Sequence, residues 1–238
     1  GQEGGFGVVS KLRGVRVGIN AYVNGFLNEE NVRIRSQPIE FEIRPPNQLI
    51  ESEIITQYTD FDKKYPSFEI NVDAGEIPQS QVITAFGPNG IGKTTYAKML
   101  AGITKPDSGE VEDEVEIAYK PQYINTDFQG SVQDFLYMNA QGYGTPLFNS
   151  DILKPFDLDK ILDKHVAKLS GGELQRLATA ATLSQDADIY LLDEPTAFLD
   201  VEQRLKVAKA IKHIITRDDK SAIIVDHDIV FIDYVSDR

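Results

Sequence analysis

The sequence predicts an α/β fold built on a parallel core sheet, with a small antiparallel β subdomain ahead of it. Three observations carry this. Continuous apolar runs at Val82 to Phe86, Ile189 to Leu192 and Ala222 to Val225 have strand length and β-branched residues, as strands buried on both faces of a parallel sheet do. Helical periodicity lies between them: Glu173 to Leu183 sets Leu174, Leu177, Ala178 and Ala181 on one face, and Val201 to Ile215 does the same with Leu205, Ala208, Ile211 and Ile215. A glycine-rich loop follows the first run directly and opens a further helical pattern over Thr94 to Leu100. Strands alternating with such helices imply a parallel sheet.

The elements before this region read differently. Residues 1–38 are rich in glycine and lightly basic, with Lys11, Arg13, Arg16, Arg33 and Arg35, and read as a linker or hinge. Residues 39–238 form the main domain. At its start Ile39 to Ile43 alternates apolar and acidic residues, and Phe68 to Val72 alternates again, the pattern of half-buried antiparallel strands.

Composition narrows the function classes. The 238 residues are 41% hydrophobic and 26% charged, ordinary for a globular protein. No apolar run approaches the roughly 20 residues that span a bilayer, and no signal-like segment opens the chain, so the expected compartment is the cytoplasm. The absence of cysteine excludes thiolate chemistry within this chain. A net charge of −13 is opposite to the footprint of a free-standing nucleic-acid binder.

The loop Gly87-Pro88-Asn89-Gly90-Ile91-Gly92-Lys93-Thr94 fits G-x-x-x-x-G-K-[ST] at every fixed position. Its glycines allow successive backbone N–H groups to converge on phosphates, and the following helix adds its positive N-terminal end. Asn89, Gly90, Ile91, Gly92, Lys93, Thr94 and Thr95 are the candidate phosphate-binding residues. Lys93 is expected to bridge the β- and γ-phosphates and the Thr94 hydroxyl to ligate Mg2+. A glycine-rich turn with an exposed lysine is the plainer alternative, and the strand-loop-helix context weighs against it.

Further motifs bring a family into view. Leu169-Ser170-Gly171-Gly172-Glu173-Leu174-Gln175-Arg176 stands with Ser170 23 residues before Asp193. Ile189 to Asp193 ends in two carboxylates, Asp193 and Glu194; Gln122 follows Lys120-Pro121, Asp200 follows Leu199, and Val225-Asp226-His227-Asp228 carries a histidine. In this order they resemble the signature, Walker B, Q-loop, D-loop and switch motifs of the ATP-binding cassette (ABC) ATPases. The resemblance implies an ABC-type P-loop ATPase domain with a helical subdomain bearing the signature motif, binding ATP and Mg2+. It implies Asp193 as a metal ligand through water, Glu194 as general base, Gln122 as a sensor of metal and water, and His227 as a γ-phosphate contact. Ser170, Gly171, Gly172 and Glu173, with Asp200, are expected to act on ATP held by a second cassette. An aromatic ring upstream of the loop is expected to stack on adenine; Tyr58 is the candidate, with Phe61 and Tyr65 as competitors.

Finer features resemble subfamily E, the ribosome-recycling ATPases or RNase L inhibitors. They are Gly90 to Thr95, Glu173-Leu174-Gln175-Arg176, Asp186 to Tyr190, the run Asp193 to Asp200, and Gly14 to Asn20 with Asn31 to Arg35. Such proteins carry an iron–sulfur domain, two cassettes and two hinges, and this chain resembles the first hinge plus the second cassette. It ends at Ser236-Asp237-Arg238, where family members continue into another strand, so a C-terminally truncated cassette is expected. The implied function is one half of an ATP-driven clamp that splits ribosomal subunits, with a second cassette, the small ribosomal subunit and release or initiation factors as partners. rRNA contact is expected through the hinge cations; Lys206, Lys209, Lys212 and Arg217 read rather as a solvated helix face. Alternatives are the nucleotide-binding subunit of a membrane transporter and a non-catalytic assembly module; Glu194 argues against the last.

Overall fold

The structure is a computed structural model, which describes residues 26–27, 32–33, 53–87, 90–110, 115–122 and 126–237. The strand expected at Ile39 to Ile43 lies outside the described residues. The chain divides into two compact units, Gly1–Gln48 and Leu49–Arg238. In the first, β1 (Phe26–Leu27) pairs antiparallel with β2 (Val32–Arg33).

The second unit opens with four short strands, β3 (Ile54–Tyr58), β4 (Phe61–Lys64), β5 (Glu69–Val72) and β6 (Gly75–Pro78). β3 pairs antiparallel with β6, and β4 with β5. The alternation read at Phe68 to Val72 lands on β5, whose Ile70 and Val72 are half-buried while Glu69 and Asn71 are exposed.

The core sheet follows. β7 (Val82–Ala85) leads into α1 (Lys93–Leu100), then come β8 (Ile117–Lys120), α2 (Val132–Asn139) and α3 (Pro146–Phe148), which runs on into a π-helical stretch at Asn149–Leu153. α4 (Gly171–Leu183), β9 (Ile189–Asp193), α5 (Val201–Arg217), β10 (Ser221–Val225) and α6 (Ile229–Val235) complete the unit. The sheet order is β7-β10-β9-β8, and every pairing is parallel. β7 ends one residue before the apolar run does: Phe86 is 58% exposed where the chain leaves the sheet for the glycine-rich loop.

Strand alternation sorts the core onto two faces. Tyr190, Leu192, Ala222 and Ile224 join one apolar cluster with Leu177, Ile211, Leu136 and Phe156. Ile189, Leu191, Ile223 and Val225 join another with Ala97, Leu100, Phe61 and Ile77. Thus α4, α5 and the helical region from α2 cover one face, and α1 with the small antiparallel strands covers the other. Full burial of β9 and β10 explains their unbroken apolar composition.

Candidate nucleotide site

Parallel strands place all their carboxyl ends at one edge of the sheet, where α/β folds bind ligands. The register brings four motifs together there. Val225 pairs with Ala85 on one side and Asp193 on the other, and Lys120 pairs with Leu192. The glycine-rich loop therefore leaves β7, Asp226-His227 leaves β10, Glu194 leaves β9 and Pro121-Gln122 leaves β8, all from adjacent strand ends.

In the loop, Gly90 and Gly92 have φ of 87° and 100°, the left-handed region that glycine adopts without Cβ strain. Gly92 is the N-cap of α1 and has no side chain to cap it, so the first N–H groups of the helix face the loop. Lys93 Nζ donates to the Gly87 carbonyl at 2.7 Å. Ile91 is 51% exposed, Thr94 and Thr95 occupy the first turn of α1, and Asn89 lies outside the described residues.

Asp193 ends β9 fully buried, and neither carboxylate oxygen has a hydrogen-bond partner. Burial pushes its carboxyl above the ordinary carboxylate range, while the nearby Thr94 hydroxyl and the Lys120 ammonium pull it down. A buried carboxylate beside the Thr94 hydroxyl at the end of the glycine-rich loop fits a magnesium ion, which takes few protein ligands and keeps its waters. Among the described residues no cluster of three or more His, Asp or Glu gathers to hold a metal by itself.

Glu194 adopts φ 46°, a conformation uncommon for a non-glycine residue, and its N–H donates to the Val225 carbonyl at 2.7 Å. His227 Nδ1 stands 3.8 Å from Glu194 Oε1 and 3.8 Å from Asp226 Oδ1. Asp226 is fully buried; it accepts from the Thr196 hydroxyl at 2.6 Å and from the N–H groups of His227 and Asp228 at 2.7 and 3.0 Å. Asp228 in turn caps α6 through Phe231 N–H and pairs with Arg204, so His227 sits between two anchored acids.

Lys120 was not singled out by sequence. It is 1% exposed, and its ammonium donates to the carbonyls of Asp193 at 2.8 Å, Pro121 at 3.2 Å and Glu194 at 3.5 Å. Burial lowers its pKa to about 8, against the pull of the Asp193, Asp226 and Glu194 carboxylates. The signal available was a lysine closing an apolar strand, Ile117-Ala118-Tyr119-Lys120. Next to it, the buried Tyr119 hydroxyl faces Asp193, and burial with the charge of that carboxylate lifts its pKa to about 12. Gln122 is tied to α4, its carbonyl accepting from Gln175 Nε2 at 3.5 Å.

The signature residues form a separate groove. Ser170 N-caps α4 in a capping box: its hydroxyl accepts from Glu173 N–H at 3.4 Å, and the Glu173 carboxylate accepts from Ser170 N–H at 2.9 Å. A 2.6 Å contact with Lys164 and these bonds hold the Glu173 carboxyl below its usual value. Ser170, Gly171, Gly172, Glu173, Arg176, Phe198, Asp200 and Gln203 line a concavity of about 420 Å3, which Lys93 and Thr94 do not line. Asp200 enters it as the N-cap of α5. A Cβ on Gly171 would meet the Phe198 ring at 2.9 Å and one on Gly172 the Phe198 carbonyl at 2.9 Å; only glycine lets the loop after Glu194 lie against α4.

The aromatic candidates separate by burial. Phe61 is 2% exposed and belongs to the core. The Tyr58 hydroxyl meets the Tyr96 hydroxyl at 3.3 Å and its ring packs 5.6 Å from Phe61, so its surface is engaged inside the unit. Tyr65 and Phe68 instead stack at 4.8 Å and 13° beside the loop, since a Cβ on Gly92 would stand 3.6 Å from Phe68 Cε2.

A helix-flanked parallel sheet with a phosphate loop, two carboxylates at a strand end and a capped glycine pair defines a P-loop ATPase of the cassette type. The ABC transporter family profile matches residues 71–197, more than half the chain, and the chain belongs to that family. Within it the chain belongs to subfamily E: it is 42% identical over 163 residues to ABC transporter E family member 3 of Arabidopsis thaliana, covering 65% of this chain and 90% of that protein. An ABC transporter ATP-binding protein of Methanocaldococcus jannaschii is 50% identical over 240 residues, 100% of this chain and 40% of the relative. A solved structure of the archaeal ribosome recycling factor aABCE1, in complex with the ribosomal stalk protein aP1, superposes with a TM-score of 0.85 at 47% identity, covering 99% of this chain and 46% of that one. The chain thus spans less than half the length of these last two proteins. Among the described residues no helix is long and apolar enough to cross a membrane.

Proposed function

We propose that this ABC ATPase chain hydrolyses Mg·ATP at a site completed by the signature groove of a second cassette, and acts as one half of a clamp in ribosome recycling in the cytoplasm. The observation that supports the composite site is the separation of two half-sites. One gathers Lys93, Thr94, Gln122, Asp193, Glu194 and His227 at the strand ends, and the other gathers Ser170, Gly171, Gly172, Glu173 and Asp200 around a groove without the phosphate loop. A nucleotide gripped by the first presents its γ-phosphate to the second half-site of a partner.

The chemistry follows from the chain's own groups. Loop N–H groups and Lys93 hold the phosphates, and the stacked Tyr65–Phe68 pair, rather than Tyr58, offers the adenine platform. Glu194 polarises the attacking water, with His227 close to its carboxylate to contact the γ-phosphate. Thr94, Asp193 through water and Gln122 would hold a Mg2+ ion, which would supply charge neutralisation at the transferring phosphoryl group. Residues 1–38 serve as a hinge and residues 39–238 as the cassette.

The recycling role rests on likeness to a protein titled a ribosome recycling factor, with the small subunit and release or initiation factors as partners. The helix cations give rRNA little to hold: Lys206, Lys212 and Arg217 pair with Asp157, Asp237 and Asp151. Hinge cations remain the rRNA candidates. Fractionating native lysate on a density gradient with a non-hydrolysable ATP analogue tests the role. Co-migration of the antigen with small ribosomal subunits is expected; partition with membranes would replace recycling by transport.

A further inference from the structure

We propose that Lys120 is a positioning residue for hydrolysis, its buried ammonium strapping the turn that carries Glu194 to the strand end that leads into Gln122. This inference rests on the ATPase reading of the site. Burying an ammonium is unfavourable unless its donors are used, and Lys120, at 1% exposure, has three carbonyl acceptors for its three donors: Asp193, Pro121 and Glu194. Each of these carbonyls lies where the sheet ladder runs out. The register pairs Lys120 with Leu192, so Pro121 stands next, opposite Asp193, and proline has no N–H to give. Glu194, at φ 46°, turns its own carbonyl off the strand direction. Such a conformation persists only when its surroundings hold it. Val225 holds the Glu194 N–H from one side, and Lys120 holds the two carbonyls flanking that φ from the other. The carboxylate of Glu194 is therefore aimed by a side chain 74 residues away, on the strand that also delivers Gln122.

The test compares wild type, Lys120→Met and Lys120→Arg in the intact protein by steady-state phosphate release, by titration with a fluorescent ATP analogue, and by thermal unfolding. Lys120→Met is expected to lower kcat by about 10- to 100-fold, the cost of displacing a reacting group slightly, while KM and nucleotide affinity stay within about threefold. Lys120→Arg is expected to recover much of the loss. In a Glu194→Gln background, Lys120→Met is expected to slow the residual rate by less than about twofold, because both act through one group. Normal kcat in Lys120→Met, loss of affinity in step with rate, or effects that multiply with Glu194→Gln would overturn the role. Where Lys120→Met does not fold, Lys120→Gln replaces it; turnover below that of Lys120→Arg at unchanged affinity supports the strap, and wild-type turnover overturns it. Normal turnover in Glu194→Gln itself would overturn the underlying ATPase reading, whereas an inactive Glu194→Gln beside a fully active Lys120→Met overturns only the Lys120 proposal.

Discussion

At the scale of single residues, Lys93 and Glu194 do separable jobs. In the proposed mechanism Lys93 neutralises phosphate charge, so Lys93→Ala is expected to weaken ATP binding by at least about tenfold, a loss of about 1.4 kcal/mol or more, read by direct titration. Glu194 is proposed to act on water rather than on nucleotide. Glu194→Gln keeps its size and removes the base, so ATP affinity is expected to stay near wild type while phosphate release falls by about 100-fold or more. Rapid turnover by this variant would remove Glu194 from its role. Both candidates were legible in sequence because their motifs are local: Gly87, Gly90 and Gly92 stand at short fixed spacing before Lys93, and Asp193 and Glu194 are adjacent at a strand end. Lys120 and Thr196 were not, because Lys120 meets Asp193 across 73 residues and Thr196 meets Asp226 across 30.

At the scale of elements, helix caps set local stability. α2 starts with a capping box in which Ser131 accepts from Asp134 N–H at 3.1 Å and Asp134 accepts from Ser131 N–H at 2.9 Å. Ser131→Ala is expected to cost about 1 kcal/mol in urea unfolding and to leave ATP affinity unchanged, since no residue of α2 lines the signature groove or belongs to the glycine-rich loop. The α4 cap adds a pH dependence. Contact with Lys164 and the Ser170 N–H holds the Glu173 carboxyl below its free value. Its stabilisation is therefore complete above the unfolded pKa of about 4.3, and fades as pH falls through the lower folded value. Scanning Tm from pH 6 to 3, Glu173→Gln is expected to lose less stability than wild type over the acid limb; parallel curves would remove the cap's contribution. The capping motif was visible in Ser170-x-x-Glu173, but the Lys164 partner came only with the fold.

At the scale of the whole molecule, the proposed pairing of a phosphate half-site with the signature half-site of another chain calls for a second cassette. For the 238-residue chain by itself, the composite-site proposal makes a dimer the active species, so phosphate release per chain is expected to rise with protein concentration. A rate per chain independent of concentration would contradict the composite site.

Sequence by itself determined β5, three of the four core strands (β7, β9 and β10), the helices α1, α4 and α5, the glycine-rich loop, the paired carboxylates and the Ser-Gly-Gly string, since each is written in consecutive residues obeying a local period or turn geometry. Only the tertiary structure decided that β10 lies between β7 and β9, bringing Asp226 and His227 to Glu194. It also decided that Phe198 needs the bare glycines of α4 beneath it, and that Phe68, stacked on Tyr65, stands beside Gly92 of the loop. Those outcomes depend on which strands exchange hydrogen bonds and which side chains lose water together, and such pairings join residues far apart in the chain, where no local pattern records them.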